Sequence, residues 1–184
     1  MHFLSLNQSN GGVMDNWYVL YVSAKREGKI SQYLKQNNLD VFIPKRDVIF
    51  KRQGHKFLVR KPVFSNYLFI KSSLHQNEFI ALINTFKIEI TGIIKVLKYD
   101  NDGTPSLSEK EKTMIERLFN KDMVIVPSIA YYENQRVIIT DGPLIGLESK
   151  IIAVNRHKNF AKVAVDLFER EVVVEVPIEI ITRI

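Results

Sequence analysis

The chain has 184 residues, room for one domain or two small ones at roughly 100–200 residues each. Apolar residues make up 46% and charged residues 25%, ordinary for a globular protein; 26 Lys+Arg against 20 Asp+Glu give +6, a balance suited to an anionic partner. No run reaches the roughly 18 uninterrupted apolar residues of a membrane helix, and the absence of cysteine excludes a disulfide scaffold, a zinc ribbon and a thiol nucleophile and fits a reducing cytoplasm.

Residues 1–13 are uncharged apart from the partial charge on His2 and end Gln8-Ser9-Asn10-Gly11-Gly12. They lack the basic start and long apolar core of a signal peptide and read as a disordered extension or tag remnant, with Met14 as the start. Trp17-Tyr18-Val19-Leu20-Tyr21-Val22 reads as a buried strand. Ile30, Tyr33 and Leu34 recur at helical spacing, and Asn37-Asn38 supplies the cap. Val41-Phe42-Ile43 is a strand stopped by Pro44. Val48-Ile49-Phe50 and Phe57-Leu58-Val59 flank Lys51-Arg52-Gln53-Gly54-His55-Lys56, a hairpin with a basic tip. Tyr67-Leu68-Phe69-Ile70 reads as a central strand. Phe79, Leu82, Ile83 and Phe86 predict a helix over 77–86, and Ile93–Leu97 a strand. Ser108 and Glu111 fit a capping box for a helix carrying Met114, Ile115, Leu118 and Phe119.

Periodicity stops after Asn120, and residues 121–133 read as a linker. Five short strands are predicted beyond it, at 136–140, 149–154, 161–167, 172–176 and 179–183, enough for a small barrel. The fold class is therefore α+β: an α/β sandwich with an antiparallel sheet over 14–120, the linker, and a small β-barrel over 134–184.

Catalysis has no support. His2, His55, His75 and His157 are scattered, without metal-ligand spacing, and there is no nucleophile elbow or P-loop. No catalytic residue, cofactor or metal is expected. Charge is uneven: residues 25–71 hold twelve Lys/Arg against three acids, whereas 134–184 balance seven against seven. In the balanced segment Lys150, Arg156, Lys158 and Lys162 nevertheless gather around His157. Asymmetry in both halves points toward nucleic acid rather than toward solvated faces alone. Tyr67 and Phe69, two apart on one strand, share a face. Core packing is the default for such a pair, and Tyr21 can join them.

Taken together, Trp17-Tyr18-Val19-Leu20-Tyr21, Ile43-Pro44, Phe64-Ser65-Asn66-Tyr67-Leu68-Phe69-Ile70 and Pro105-x-Leu107-Ser108-x-x-Glu111 resemble the N-terminal domain of NusG-type transcription elongation factors. Val137-Ile138-Ile139-Thr140-Asp141-Gly142-Pro143-Leu144-Ile145-Gly146-Leu147-Glu148 resembles the start of the KOW motif that follows in the same family, an SH3-like barrel. The resemblance spans 15–184 in the right order. It implies a non-catalytic, cytoplasmic, monomeric factor that binds the clamp helices of the RNA polymerase β′ subunit through an apolar patch, here Tyr21, Tyr67 and Phe69. It places Lys25 and Arg26 near the non-template DNA strand.

The Asn-Tyr-Leu-Phe form resembles specialised members of the RfaH or LoaP kind, and Asn155-Arg156-His157-Lys158 resembles LoaP, whose relatives recognise a leader RNA hairpin. That implies RNA contacts for Lys150, Arg156, His157, Lys158 and Lys162. This chain has Ser65 where a proline often precedes Asn-Tyr, Ser149 for a KOW glycine, and Glu78-Phe79-Ile80-Ala81 instead of the His-Thr-Thr-Thr run of RfaH-like members. Its Phe168-Glu169-Arg170 replaces the Phe-Gly-Arg turn that general NusG uses for ribosomal protein S10 or Rho. The competing reading is a free-standing, ribosome-associated RNA-binding module in which 67–70 is only core. Some specialised members fold the C-terminal domain as a helical hairpin over the patch. Here the β-branched alternation at 163–167 and 172–176, with Pro143 and Pro177, predicts a barrel, loosely tethered.

Overall fold

A computed structural model describes residues 15–100 and 103–182, so the expectation for 1–13 lies outside the described residues. Trp17-Tyr18-Val19-Leu20-Tyr21-Val22 lies within strand β1 (Asn16–Val22), central in a four-stranded sheet of order β2-β5-β1-β6. Its neighbours are β5 (Tyr67–Ser72) and β6 (Ile93–Val96), both antiparallel to it, and β2 (Asp40–Phe42) flanks β5. Side chains of β1 therefore alternate between two covered faces, which is why the run reads as continuously apolar.

One face carries Tyr18, Leu20, Val22, Leu68 and Ile70. It packs against α1 (Glu27–Gln36) and α2 (Gln76–Glu89) through Ile30, Leu34, Phe79, Ile83 and Phe86. Tyr18 stacks on Phe79 with ring centroids 3.8 Å apart. Helix α1 ends where the asparagines stand: Asn37 caps it and Asn38 adopts φ 65°. Helix α2 starts at Gln76, where the His75 N–H donates to Glu78 Oε2 at 3.0 Å, and runs past the predicted end to Glu89. The other face carries Trp17, Val19 and Phe69 and meets α3 (Glu109–Leu118) and the C-terminal strands in one continuous cluster.

The basic hairpin forms as β3 (Lys45–Arg52) and β4 (His55–Pro62), turning at Gln53 and Gly54. All of β4 is exposed. The predicted linker is mostly structured: β7 (Val124–Ile125) pairs parallel to β3, and β8 (Ser128–Glu133) enters the barrel. Only Val126 and Pro127 lie between them, which leaves no loose tether.

The barrel sheet runs β10-β11-β12-β8-β9, with β9 (Arg136–Asp141), β10 (Ile151–Asn155), β11 (Phe160–Leu167) and β12 (Arg170–Ile180). Residues 149 and 150, read as the start of a strand, belong to a 3-10 turn (Glu148–Lys150), so β10 begins at Ile151. The two predicted strands at 172–176 and 179–183 are one strand, β12. It pairs with β11 through Pro177 and then with β8 from Ile178. Pro177 sits where the strand changes partners, the position at which its missing N–H costs least. The fifth strand comes from β8 instead. Among the described residues of 134–182 the 3-10 turn is the sole helical segment, in line with the β-branched pattern.

Gly142 shapes the turn after β9. Its φ is +93°, and a Cβ there would stand 2.6 Å from the Ser128 Cα. Gly142→Ala should therefore lower stability by at least about 1–2 kcal/mol, the cost of the left-handed conformation alone. Gly54→Ala, also at positive φ but with nothing within 4 Å, should cost less. Paired denaturant titrations check the difference.

Candidate functional site

Cross-strand register puts Tyr21 opposite Tyr67 and Val19 opposite Phe69. The tyrosine rings lie 5.3 Å apart at 42°, and both are half-buried. Phe69 departs from the expectation of a partly exposed patch: it is fully buried, 5.6 Å from both the Phe42 and the Phe64 ring. One strand face thus grades from core at Phe69 to surface at Tyr67.

A groove of about 310 Å³ opens beside the tyrosines, walled by Leu97 and Lys98 on one side and by Leu167, Phe168 and Arg170 of the barrel on the other. The barrel is therefore docked on this face. Its β11–β12 turn has Phe168 at φ 51° and Glu169 at φ 60°, the left-handed pair of a two-residue hairpin without glycine or asparagine. Phe168 is buried against Tyr99, with centroids 5.1 Å apart. Its N–H donates to Glu111 Oε1.

Glu111 is itself only 5% exposed. It closes the predicted capping box, accepting from the Ser108 N–H at 2.9 Å, and also accepts from the Ser108 and Tyr99 hydroxyls. Further ties are Arg170 to Asp100 at 2.7 Å, Arg117 Nη2 to the Ile145 carbonyl at 2.7 Å, and Lys56 to Glu179. Reading the sequence finds Glu111 as a cap but misses its second task. The available signal is an aromatic at a left-handed turn position, where a polar residue or glycine is the rule.

The other expected site residues divide. Arg156, His157, Lys158 and Lys162 line one cleft of about 660 Å³ beside the β10–β11 loop. The loop is held by Asn155 Oδ1 accepting from the Lys158 N–H at 2.9 Å, and Arg156 stacks 3.5 Å over Tyr132. Lys150 is not with them. It lies 3.9 Å from Asp166, in a depression shared with Met114 and Arg117 of α3. Lys25 and Arg26 are exposed beyond β1, but the Arg26 guanidinium donates to the Thr91 carbonyl and hydroxyl at 3.0 and 2.6 Å, pinning the approach to β6. Among the described residues no group of three His, Asp or Glu could hold a metal, and no helix is long and apolar enough to cross a membrane.

The family model described as transcription termination factor nusG matches residues 15–119. The chain belongs to the NusG family. The Bacillus subtilis transcription termination/antitermination protein NusG is 24% identical over 169 residues, covering 87% of this chain and 93% of that protein. The Thermus thermophilus NusG is 25% identical over 171 residues, with 86% and 93% covered. A solved structure described as domain interaction in Thermotoga maritima NusG covers 90% of this chain and 96% of that one, at 18% identity and TM-score 0.44. At the level of the family, the chain is a NusG-like transcription termination/antitermination factor, with a mixed α+β N-terminal unit and a curled C-terminal sheet consistent with an SH3-like KOW domain.

Docking of this NusG barrel should weaken at alkaline pH. Burial, and then the hydrogen bond to Glu111, raise the Tyr99 phenol above its ordinary 10.0. The folded chain favours the neutral phenol, so its contribution is complete below 10.0 and is lost as pH rises past that value. Hydrogen exchange at the Phe168 amide should accelerate above pH 10 beyond the intrinsic base-catalysed trend, and Tyr99→Phe should remove the excess.

Proposed function

We propose that the chain is a specialised antitermination factor of the NusG family, binding the β′ clamp helices of RNA polymerase through the Tyr21–Tyr67 face and a leader RNA hairpin through the β10–β11 loop. The observation that carries the first part is the tyrosine pair: two half-buried aromatics in contact on a strand face, beside an apolar groove open to solvent. Buried aromatics of this size anchor protein interfaces, often at 2 kcal/mol or more each. Phe69 continues the same strand face into the core and is not part of the exposed surface. Lys25, on the exposed turn beyond β1, remains the residue for the non-template strand, while Arg26 is committed to Thr91.

For the second part, Arg156, His157, Lys158 and Lys162 offer cations along one cleft. Phosphates need such neutralisation, and unpaired bases need flat partners. The Phe168-Glu169-Arg170 turn is buried at its aromatic and ion-paired at its arginine. In the docked arrangement its phenylalanine is not offered to a partner such as ribosomal protein S10 or Rho. A free-standing RNA module would need only the loop and would leave the tyrosines idle.

Two experiments test this. Tyr21→Ala with Tyr67→Ala should abolish capture of RNA polymerase while the fold persists, whereas Phe69→Ala should unfold the chain by about 3–5 kcal/mol and is the wrong probe. Polymerase binding that survives the double substitution overturns the face; no polymerase binding by the unaltered chain favours the RNA module. Arg156→Ala with Lys158→Ala should weaken binding to an RNA stem–loop and flatten its salt dependence, log–log slope falling by roughly 0.7–0.9 per lost phosphate contact.

A further inference from the structure

The two basic segments that stand far apart in the sequence meet in space. A cleft of about 510 Å³ is walled on one side by Arg46, Phe50 and Lys61 of the β3–β4 hairpin, and on the other by His157, Lys158 and Phe160 of the barrel loop. It is contiguous with the cleft lined by Arg156 and Lys162, since His157, Lys158 and Phe160 line both.

Two acids also line it, and each is already neutralised. Arg60 Nε lies 3.3 Å from Asp47, and Arg46 reaches across the cleft to Glu175 at 2.5 Å, tying the two walls together. Among the described residues neither Lys61 nor Lys158 is in an ion pair, so both cations are available to a ligand.

Between them stands an aromatic surface that the core does not require. Phe50 is 44% exposed and Phe57, its cross-strand partner, 50% exposed. Lys61 Nζ sits 5.2 Å from the Phe50 ring centroid, over its face. Exposed apolar rings of this size are costly to leave in water. Beside uncommitted cations they form the combination used to stack bases and hold their phosphates.

We propose that this cleft holds an unpaired loop nucleotide of the RNA, its base stacked on Phe50 and its flanking phosphates on Lys61 and Lys158. RNA is then gripped by both domains at once, and the hairpin of the N-terminal domain is half of the binding site. This rests on the reading that the barrel loop binds RNA and extends it to a second wall. RNA loops are read by splaying unpaired bases onto aromatic side chains, and a cleft of this volume accepts a flipped-out base with its phosphates rather than a duplex.

The test uses the full chain and a pool of RNA stem–loops with randomised unpaired loops, selected on the unaltered protein, with affinity read by fluorescence anisotropy across a salt series. Phe50→Ala should weaken binding roughly tenfold with an unchanged salt slope, as loss of one stacked base does, while Phe50→Trp should keep full affinity. Lys61→Ala should lower the slope by roughly 0.7. A duplex made from the same stem without its loop should ignore Phe50→Ala, and single-stranded DNA of the loop sequences should compete poorly.

Because Phe50 and Lys61 are exposed, circular dichroism should show all three variants folded. Loss of binding in Arg156→Ala with Lys158→Ala, but none in Phe50→Ala or Lys61→Ala, overturns the two-walled cleft and leaves the barrel loop standing. No effect from any of these, or no selectable RNA, overturns both. Equal competition by the DNA overturns the assignment to RNA.

Discussion

One buried carboxylate bonds to both halves of this molecule across their shared apolar core. Glu111 accepts from four donors: the Ser108 N–H and hydroxyl, the Tyr99 hydroxyl and the Phe168 N–H. A carboxylate this deeply buried is tolerated only when its lone pairs are satisfied. Three of the donors come from the N-terminal unit, the fourth from the barrel. Moving the barrel away would leave one acceptor site to water and strip the Phe168 turn of the contact that offsets its left-handed backbone. The cap of α3 and the docking of the barrel are therefore one interaction, and the helix cannot be trimmed at Ser108 without loosening the domains.

The consequences are positional. With Phe168 seated against Tyr99, the barrel turn lines the groove beside Tyr21 and Tyr67. At the other end of the interface, Arg46 paired with Glu175 and Lys56 with Glu179 bring the β3–β4 hairpin alongside the barrel. The exposed ion pairs contribute little individually. Their role is to fix the register of two walls whose apolar contacts have already been made, since the cluster containing Val19 and Phe69 runs without a break into Val163, Val165 and Val174.

Much of this was legible in the residues. The unbroken apolar run of β1, the hairpin at Gln53-Gly54, the Ser108–Glu111 box and the Asn37-Asn38 cap all act over a few residues, and each formed where its chemistry predicts. The misreadings share a cause. Phe69 looks like Tyr67 in a strand, but what covers it, Phe42 and Phe64, arrives from other segments. Residues 121–133 lack periodicity because β7 and β8 are short and each joins a different sheet. The split at Pro177 follows a sound local rule that the change of partner from β11 to β8 makes unnecessary. Lys150 is near Arg156 in sequence but faces Asp166. Long-range partners decide these cases, and none is written in the local pattern.

The geometry sets the two proposed surfaces against each other. The cleft between Phe50 and Lys158 exists only while the barrel is docked, because its walls belong to different domains. The tyrosine face is partly walled by the same docked barrel. A ligand bridging Lys61 and Lys158 binds the docked state better and must favour it. A helical partner that needs the whole Tyr21–Tyr67 face binds the undocked state better and must favour that. Linkage then requires each to weaken the other by the same factor, whichever binds first. The size of that factor is bounded by the free energy of docking, to which the Phe168 contacts with Glu111 and Tyr99 contribute.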